Sequence, residues 1–294
     1  MKKSLLLIIG FLILLATEIL RVYFIMPFPG SQKSDTIQIA YFLHNYIWWI
    51  RVLGLLLFVP PMIYIFRNSR WWRKILLAIF VLLYATVFYA FNFKFLADKM
   101  FYQPENKILA TVATNKVDST KLVIGVALNG QTKAYPVEII SYHHQVVDTV
   151  GGEPVMVTYC SVCRTGRVFS PFVNGKLEKF RLVGMDHFNA MFEDATTKSW
   201  WRQATGKAVA GKLKGTALKE IESAQMSLGA WMRKHPNTMI LQPDPVFAKQ
   251  YKGLEGFDEG TIKSGLEKRD SASWQFKSWV IGIEKNGHTK AYDW

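Results

Sequence analysis

Apolar residues crowd the first hundred positions in three long runs, Ser4 to Met26, about Tyr46 to Phe66 and about Ile75 to Phe93, separated by short charged connectors. Each run is long enough to cross a bilayer as a helix rising about 1.5 Å per residue. After Met100 the texture changes to short alternating segments punctuated by Gly and Asn-Gly, the pattern of strands and hairpins. Lys121 to Leu128 and Gln131 to Tyr135 flank Asn129-Gly130, and Arg167 to Phe172 and Leu177 to Val183 flank Asn174-Gly175. Both dipeptides supply the positive φ that a two-residue turn needs. Val137 to Val147 fits a short helix or an extended segment, and Ser227 to Lys234, ahead of His235-Pro236, reads as a helix. The pattern predicts a membrane domain of three transmembrane helices over 1–100. Residues 101–294 then form an α+β domain, β-rich and mainly antiparallel.

One hairpin occurs twice. Val123-Ile-Gly-Val-Ala-Leu-Asn-Gly-Gln-Thr-Lys-Ala-Tyr135 recurs as Val280-Ile-Gly-Ile-Glu-Lys-Asn-Gly-His-Thr-Lys-Ala-Tyr292, with nine of thirteen positions identical. Two copies are too few for a solenoid, so they are expected as equivalent hairpins in one sheet or in two half-sheets. The second copy is expected at the periphery.

Charge sharpens the membrane reading. The chain carries +14 overall, and its first hundred residues hold eleven Lys or Arg against Glu18, Asp35 and Asp98, leaving +6 for the rest. With no long basic run and no recognition motif in the domain, nucleic acid is not an expected partner. The connector Arg67-Asn-Ser-Arg-Trp-Trp-Arg-Lys74 has four positive charges, whereas Pro27 to Asn45 has Lys33 balanced by Asp35. Positive loops stay in the cytoplasm, so the N-terminus is expected inside and everything after Met100 outside, in an oxidising compartment. No small-x-small cleavage site follows the first run, which marks a retained anchor rather than a signal peptide. Glu18, Arg21 and Arg51 interrupt the first two runs; the arginines either snorkel to the interface or Glu18 and Arg51 pair across two helices.

The chemistry concentrates in Val155-Met-Val-Thr-Tyr-Cys-Ser-Val-Cys-Arg-Thr-Gly-Arg-Val-Phe169, which holds the only two cysteines of the chain, Cys160 and Cys163. Alternation before Cys160 reads as a strand and Arg164-Thr-Gly as its turn. The C-x-x-C thus sits at a strand end, unlike a thioredoxin-type motif at a helix N-terminus.

With these residues in view, the segment 121–294 resembles the bacterial domain-of-unknown-function family 3179. The resemblance is carried by Gly125 to Pro136, His143 with Asp148-Thr-Val-Gly-Gly152, Tyr159-Cys-Ser-Val-Cys163 with Thr165, and Asp194-x-x-Thr-x-Ser-x-Trp201-x-Gln203 followed by Gly206 and Gly211. It implies a thiol role, since some members look like selenoproteins with selenocysteine in this pair, and it implies a bacterial cytoplasmic (inner) membrane. The sequence departs from the family at Arg164, usually Gly, and at His144, where an acidic residue is common.

Three function classes follow. In the first, a thiol oxidoreductase, one of Cys160 and Cys163 attacks a disulfide and the other resolves it. His143 and Arg164 then favour the thiolate, and the partner is a redox protein or a small thiol or disulfide. In the second, the thiols bind copper or zinc with His143 as a further ligand. In the third, a non-enzymatic module holds a ligand in a cleft marked by Asp194, Trp201 and Gln203. Phosphate-loop, dinucleotide and nucleophile-elbow motifs are absent.

Overall fold

The three apolar runs form α1 (Lys2–Tyr23), α2 (Ile37–Asn68) and α3 (Trp71–Phe93) in a computed structural model that describes residues 2–254 and 280–293. All three are long and apolar enough to cross a membrane. The second begins well before Tyr46 and carries Pro60 and Pro61 within it. Helices α1 and α2 meet backbone to backbone: a Cβ on Gly10 would lie 2.6 Å from the Phe58 nitrogen and 2.9 Å from the Gly54 carbonyl oxygen, and one on Gly54 would lie 2.7 Å from Leu14. In lipid, where no hydrophobic effect drives helices together, such close approach of small residues supplies the packing.

Buried charge is paired inside this bundle. Arg51 grips Glu18 with Nε at 2.6 Å and Nη2 at 2.8 Å, and Asn92 donates to Glu18 at 2.8 Å. The Asn92 side-chain oxygen accepts from both Arg51, at 2.7 Å, and Arg21, at 2.8 Å. Of the two expectations for these charges, the helix-to-helix pair is therefore the one that forms. A buried ion pair of this kind contributes little net stability, but removing one partner strands the other at a cost of about 3–5 kcal/mol.

The sequence boundary at Met100 is not the boundary of packing. The chain divides into two units, one of Met1–Met100 with Arg181–Trp201 and Ala208–Gly215, the other of the remaining segments. In the first, beyond the short α4 (Ala97–Met100), a sheet is ordered β12-β11-β10-β9, from β9 (Phe180–Asp186), β10 (Asn189–Asp194), β11 (Trp200–Arg202) and β12 (Ala208–Ala210). Met185 N donates to the Ile25 carbonyl at 2.6 Å, Phe188 N to Gln32 Oε1 at 3.2 Å and Gln38 Nε2 to the Val209 carbonyl at 2.8 Å, and Trp200 meets Tyr41 edge-on.

The second unit is α+β. Its larger sheet is ordered β1-β15-β3-β2-β14, from β1 (Leu109–Thr111), β2 (Leu122–Leu128), β3 (Gln131–Pro136), β14 (Ala224–Ser227) and β15 (Met239–Leu241); only β15 and β3 run parallel among its neighbours. The second, antiparallel sheet is ordered β13-β6-β5-β4, from β4 (Gln145–Val150), β5 (Glu153–Cys160), β6 (Thr165–Phe169) and β13 (Glu220–Ile221). Val137 to Val147, ambiguous by pattern, is both things in turn: α5 (Val137–His143), then β4, with His144 at φ 58° between them. Asn174-Gly175 turns between two very short strands, β7 (Phe172–Val173) and β8 (Lys176–Leu177). Helix α6 (Leu228–Lys234) starts as expected at Ser227, whose side chain accepts from Ala230 N. A 3₁₀ turn (Pro245–Phe247) and α7 (Ala248–Tyr251) follow. One core cluster joins Ile124, Val126 and Tyr135 of the first sheet to Val146, Val155, Val157 and Tyr159 of the second.

The repeat forms a matching hairpin, β16 (Val280–Lys285) and β17 (His288–Asp293). Val126 pairs with Lys133 and Leu128 with Gln131 in the first copy; Ile283 pairs with Lys290 and Lys285 with His288 in the second. Asn129-Gly130 and Asn286-Gly287 all have positive φ, as the turn requires. The side-chain facing of Val280 lies outside the described residues.

Candidate functional site

Strand β5 alternates, so Val155, Val157 and Tyr159 enter the core cluster while Met156, Thr158 and Cys160 face the other way. Residues 202–207 cover that second face. Gln203 Nε2 donates to Thr158 Oγ1 at 3.0 Å and to the Thr165 carbonyl at 3.0 Å, and a Cβ on Gly206 would lie 2.6 Å from the Phe169 ring. The strand is buried on both sides, and Cys160, its last residue, has no exposed surface.

The chain turns through Ser161–Arg164, earlier than the Arg164-Thr-Gly predicted, and Thr165 opens β6 opposite Cys160. This turn brings the two sulfurs 2.8 Å apart, with no disulfide between them. Cys163 lies in the turn and is only half-buried. Its backbone N–H donates to Cys160 Sγ at 3.3 Å, and Thr165 Oγ1 donates to its carbonyl at 3.1 Å. Arg164 closes the turn at φ 53°. Burial holds its guanidinium below the ordinary arginine value, with Tyr159 acting the other way.

Gln145 stands opposite Thr158 across the β4–β5 ladder and shares its face. Its Nε2 donates to the Phe180 carbonyl at 2.7 Å. Among the described residues neither the Gln145 nor the Gln203 side-chain oxygen receives a hydrogen bond, although both are buried. The face that ends in Cys160 thus retains two acceptors. Gln145 was not singled out in the sequence, yet the Gly151-Gly152 turn fixes the register that pairs it with Thr158.

Continuing that register would set His143 across from Cys160. The left-handed backbone at His144 interrupts it, and His143 turns instead to the Tyr102 carbonyl through Nδ1 and to the Tyr251 hydroxyl, at 2.7 Å, through Nε2. A carbonyl only accepts, so Nδ1 carries the proton and Nε2 accepts from Tyr251. Both nitrogens are occupied, and burial pushes the ring below its ordinary value, opposed by the Tyr102 carbonyl. The expected base or metal ligand beside the thiols is a structural tie between α5 and α7. Among the described residues no three His, Cys, Asp or Glu side chains gather as a metal site. His144 is tied to the residue before Cys160: its carbonyl accepts from Tyr159 N at 3.0 Å and its Nδ1 sits 3.1 Å from the Tyr159 carbonyl. Burial pushes its pKa down to about 4.

Residues 103–294 match a family model described as "Protein of unknown function (DUF3179)". The chain belongs to this family. No curated protein and no solved structure matches it. Within the DUF3179 segment, two of the blocks noted in the sequence hold each other: Lys133 Nζ and the Tyr135 hydroxyl both donate to Asp148 Oδ2 at 2.9 Å. Arg164 has a positive φ, a conformation that glycine adopts without steric cost.

The remaining candidates, Asp194 and Trp201, are bonded to each other. Asp194 accepts from Thr197 N and Oγ1, from Ser199 N at 3.2 Å and from Trp201 Nε1 at 2.9 Å. Burial opposes its ionisation, but these donors outweigh burial and hold the carboxyl below its ordinary value. Both side chains are buried, and their polar atoms close a tight turn. Gln203 alone of the three belongs to the cysteine face.

Proposed function

We propose that this is a membrane-anchored thiol-disulfide oxidoreductase whose reactive pair is Cys160 and Cys163. The observation that carries the reading is the pair itself: one sulfur buried at a strand end, the other half-exposed in the turn, 2.8 Å apart. Cys163 is the thiol that meets substrate. As thiolate it attacks a substrate disulfide, forms a mixed disulfide and releases the first substrate thiolate. Cys160, as thiolate, then attacks the Cys163 sulfur, closing the Cys160–Cys163 disulfide and releasing the second. The substrate gains two electrons and the pair loses two; a dithiol substrate drives the same steps in reverse. In that reverse direction Cys160 is the leaving sulfur, and the N–H of Cys163 stabilises its developing charge.

The basic connector Arg67 to Lys74 supports an orientation with the N-terminus in the cytoplasm and the thiol domain outside the bacterial inner membrane, where disulfides persist. The test is differential alkylation of the purified full chain before and after reductant, with metal analysis of the same sample. Reversible masking of both thiols without bound metal is expected. Thiols that stay alkylatable under every oxidant, or stoichiometric metal lost with either cysteine, overturn the reading. An export-dependent reporter fused after Trp294 tests the orientation; it should be active.

A further inference from the structure

Between α2 and α3 a groove of about 540 Å³ opens toward the lipid. Its wall on α3 is a helical stripe, Lys74, Ala78, Val81 and Ala85 at spacings of three and four, and Met62, Ile63 and Phe66 face it from α2. Ala78 and Ala85 are both exposed, and their small side chains leave open what a leucine or phenylalanine would fill. Polar lining is confined to one end. There Arg67 of α2 and Lys74 of α3 stand at the mouth, and Lys74 Nζ lies 5.2 Å from the centre of the Phe66 ring on the facing helix. Arg70 and Arg73 lie between them in the same connector, and the chain carries no Asp or Glu between Asp35 and Asp98 to neutralise the four. Trp71 and Trp72 are exposed at this level, where amphipathic rings settle at a bilayer interface.

Two features identify the occupant. Apolar walls match hydrocarbon, and the cations at the mouth match an anion attached to it. From Lys74 to Ala85 the stripe descends about 16 Å at the helical rise, roughly half the hydrocarbon core of a bilayer. The groove therefore spans one leaflet, the reach of an acyl chain whose headgroup stays at the mouth. A transmembrane helix of a partner protein would run the whole core, about twice this depth, and would bring no anion of its own to Arg67 and Lys74.

We propose that this groove holds one anionic phospholipid, its phosphate between Arg67 and Lys74 and an acyl chain along Ala78 and Ala85. With the connector in the cytoplasm, as in the orientation proposed above, the lipid belongs to the inner leaflet. The test is native mass spectrometry of the full chain in micelles titrated with phosphatidylglycerol or with phosphatidylcholine of the same acyl chains. One phosphatidylglycerol should be retained saturably. Arg67→Gln combined with Lys74→Gln should weaken it roughly 30-fold, the weight of two cations beside a lipid anion, and leave phosphatidylcholine unchanged. Ala78→Phe fills the groove with every charge in place and should weaken phosphatidylglycerol as well. Equal retention of the two lipids by the wild-type chain overturns the proposal, as does phosphatidylglycerol binding that survives either the charge substitutions or Ala78→Phe. Glycerol phosphate competing as well as the whole lipid would reduce the site to an anion contact and overturns it too. A dimer dissolved by Ala78→Phe, without lipid retention, overturns it in favour of a second copy as the occupant.

Discussion

Asp194 and Gln203 lie nine residues apart in one family block and are equally inaccessible, yet their surroundings are opposite in kind. The carboxylate of Asp194 is saturated by donors from Thr197, Ser199 and Trp201. Around Thr158, Gln145 and Gln203 each keep an oxygen with no donor among the described residues. A saturated cluster fixes a turn and has nothing left to offer a ligand, whereas buried acceptors left over are costly for folding alone. The difference sets a closed turn apart from a face with acceptors to spare, and it supports the proposal that puts the chemistry on the face ending in Cys160.

The largest effect expected is at the thiols: Cys163→Ser should lower disulfide exchange by at least about 10³-fold, because a hydroxyl cannot replace the thiolate. Cys160→Ser should instead accumulate the mixed disulfide, visible by mass. Next comes the saturated cluster. Asp194→Ala strands four donors and should cost about 4 kcal/mol of stability, read from denaturant unfolding in micelles, while exchange per folded molecule stays unchanged. A stable but inactive Asp194→Ala protein would erase the distinction drawn above.

His144 probes the cysteine face by pH. Its ordinary value is 6.5 and burial lowers it to about 4 in the folded chain. Between those values the unfolded chain takes a proton that the folded chain refuses, so stability is complete above about pH 6.5 and falls by on the order of 3 kcal/mol as pH drops through the interval. The thermal midpoint should decline over this range and decline less in His144→Asn, since asparagine also tolerates the left-handed backbone. The smallest effect is at Arg164. Replacement by Gly should add about 1 kcal/mol of stability by relieving the positive φ. If Arg164 promotes thiolate formation, the same variant alkylates more slowly.

Much of this architecture can be read from the chain because it is local. Helix periods, the Asn-Gly turns and the strand before Cys160 each depend on neighbours a few residues away. What stayed hidden depends on pairings that no short window contains. The recruitment of residues 181–201 and 208–215 to the helices rests on contacts such as Ile25 with Met185. The fate of His143 was set by Tyr251, more than a hundred positions later, and by one left-handed residue at 144 that breaks an otherwise predictable register. The cysteines were conspicuous as residue types; the glutamines beside them become meaningful only once the ladder puts Gln145 across from Thr158.

The glycine contact between α1 and α2 bears on how the protein enters the membrane in the first place. Gly10 lies two turns from Glu18 on α1, and Gly54 lies three residues from Arg51 on α2, so one seam sets the approach that lets carboxylate and guanidinium meet. A lone charge at apolar depth costs about 3 kcal/mol. Released singly into lipid, α2 meets that penalty at Arg51, whereas α1 carries Arg21 3.9 Å from Glu18; released as a helical hairpin, the two helices share one network. The favoured inserting unit is therefore the pair, and α2 alone should partition poorly from the translocon unless Arg51 is replaced by Leu. A bulky residue at position 10 should delay membrane integration of α2 without altering any residue that α2 contains.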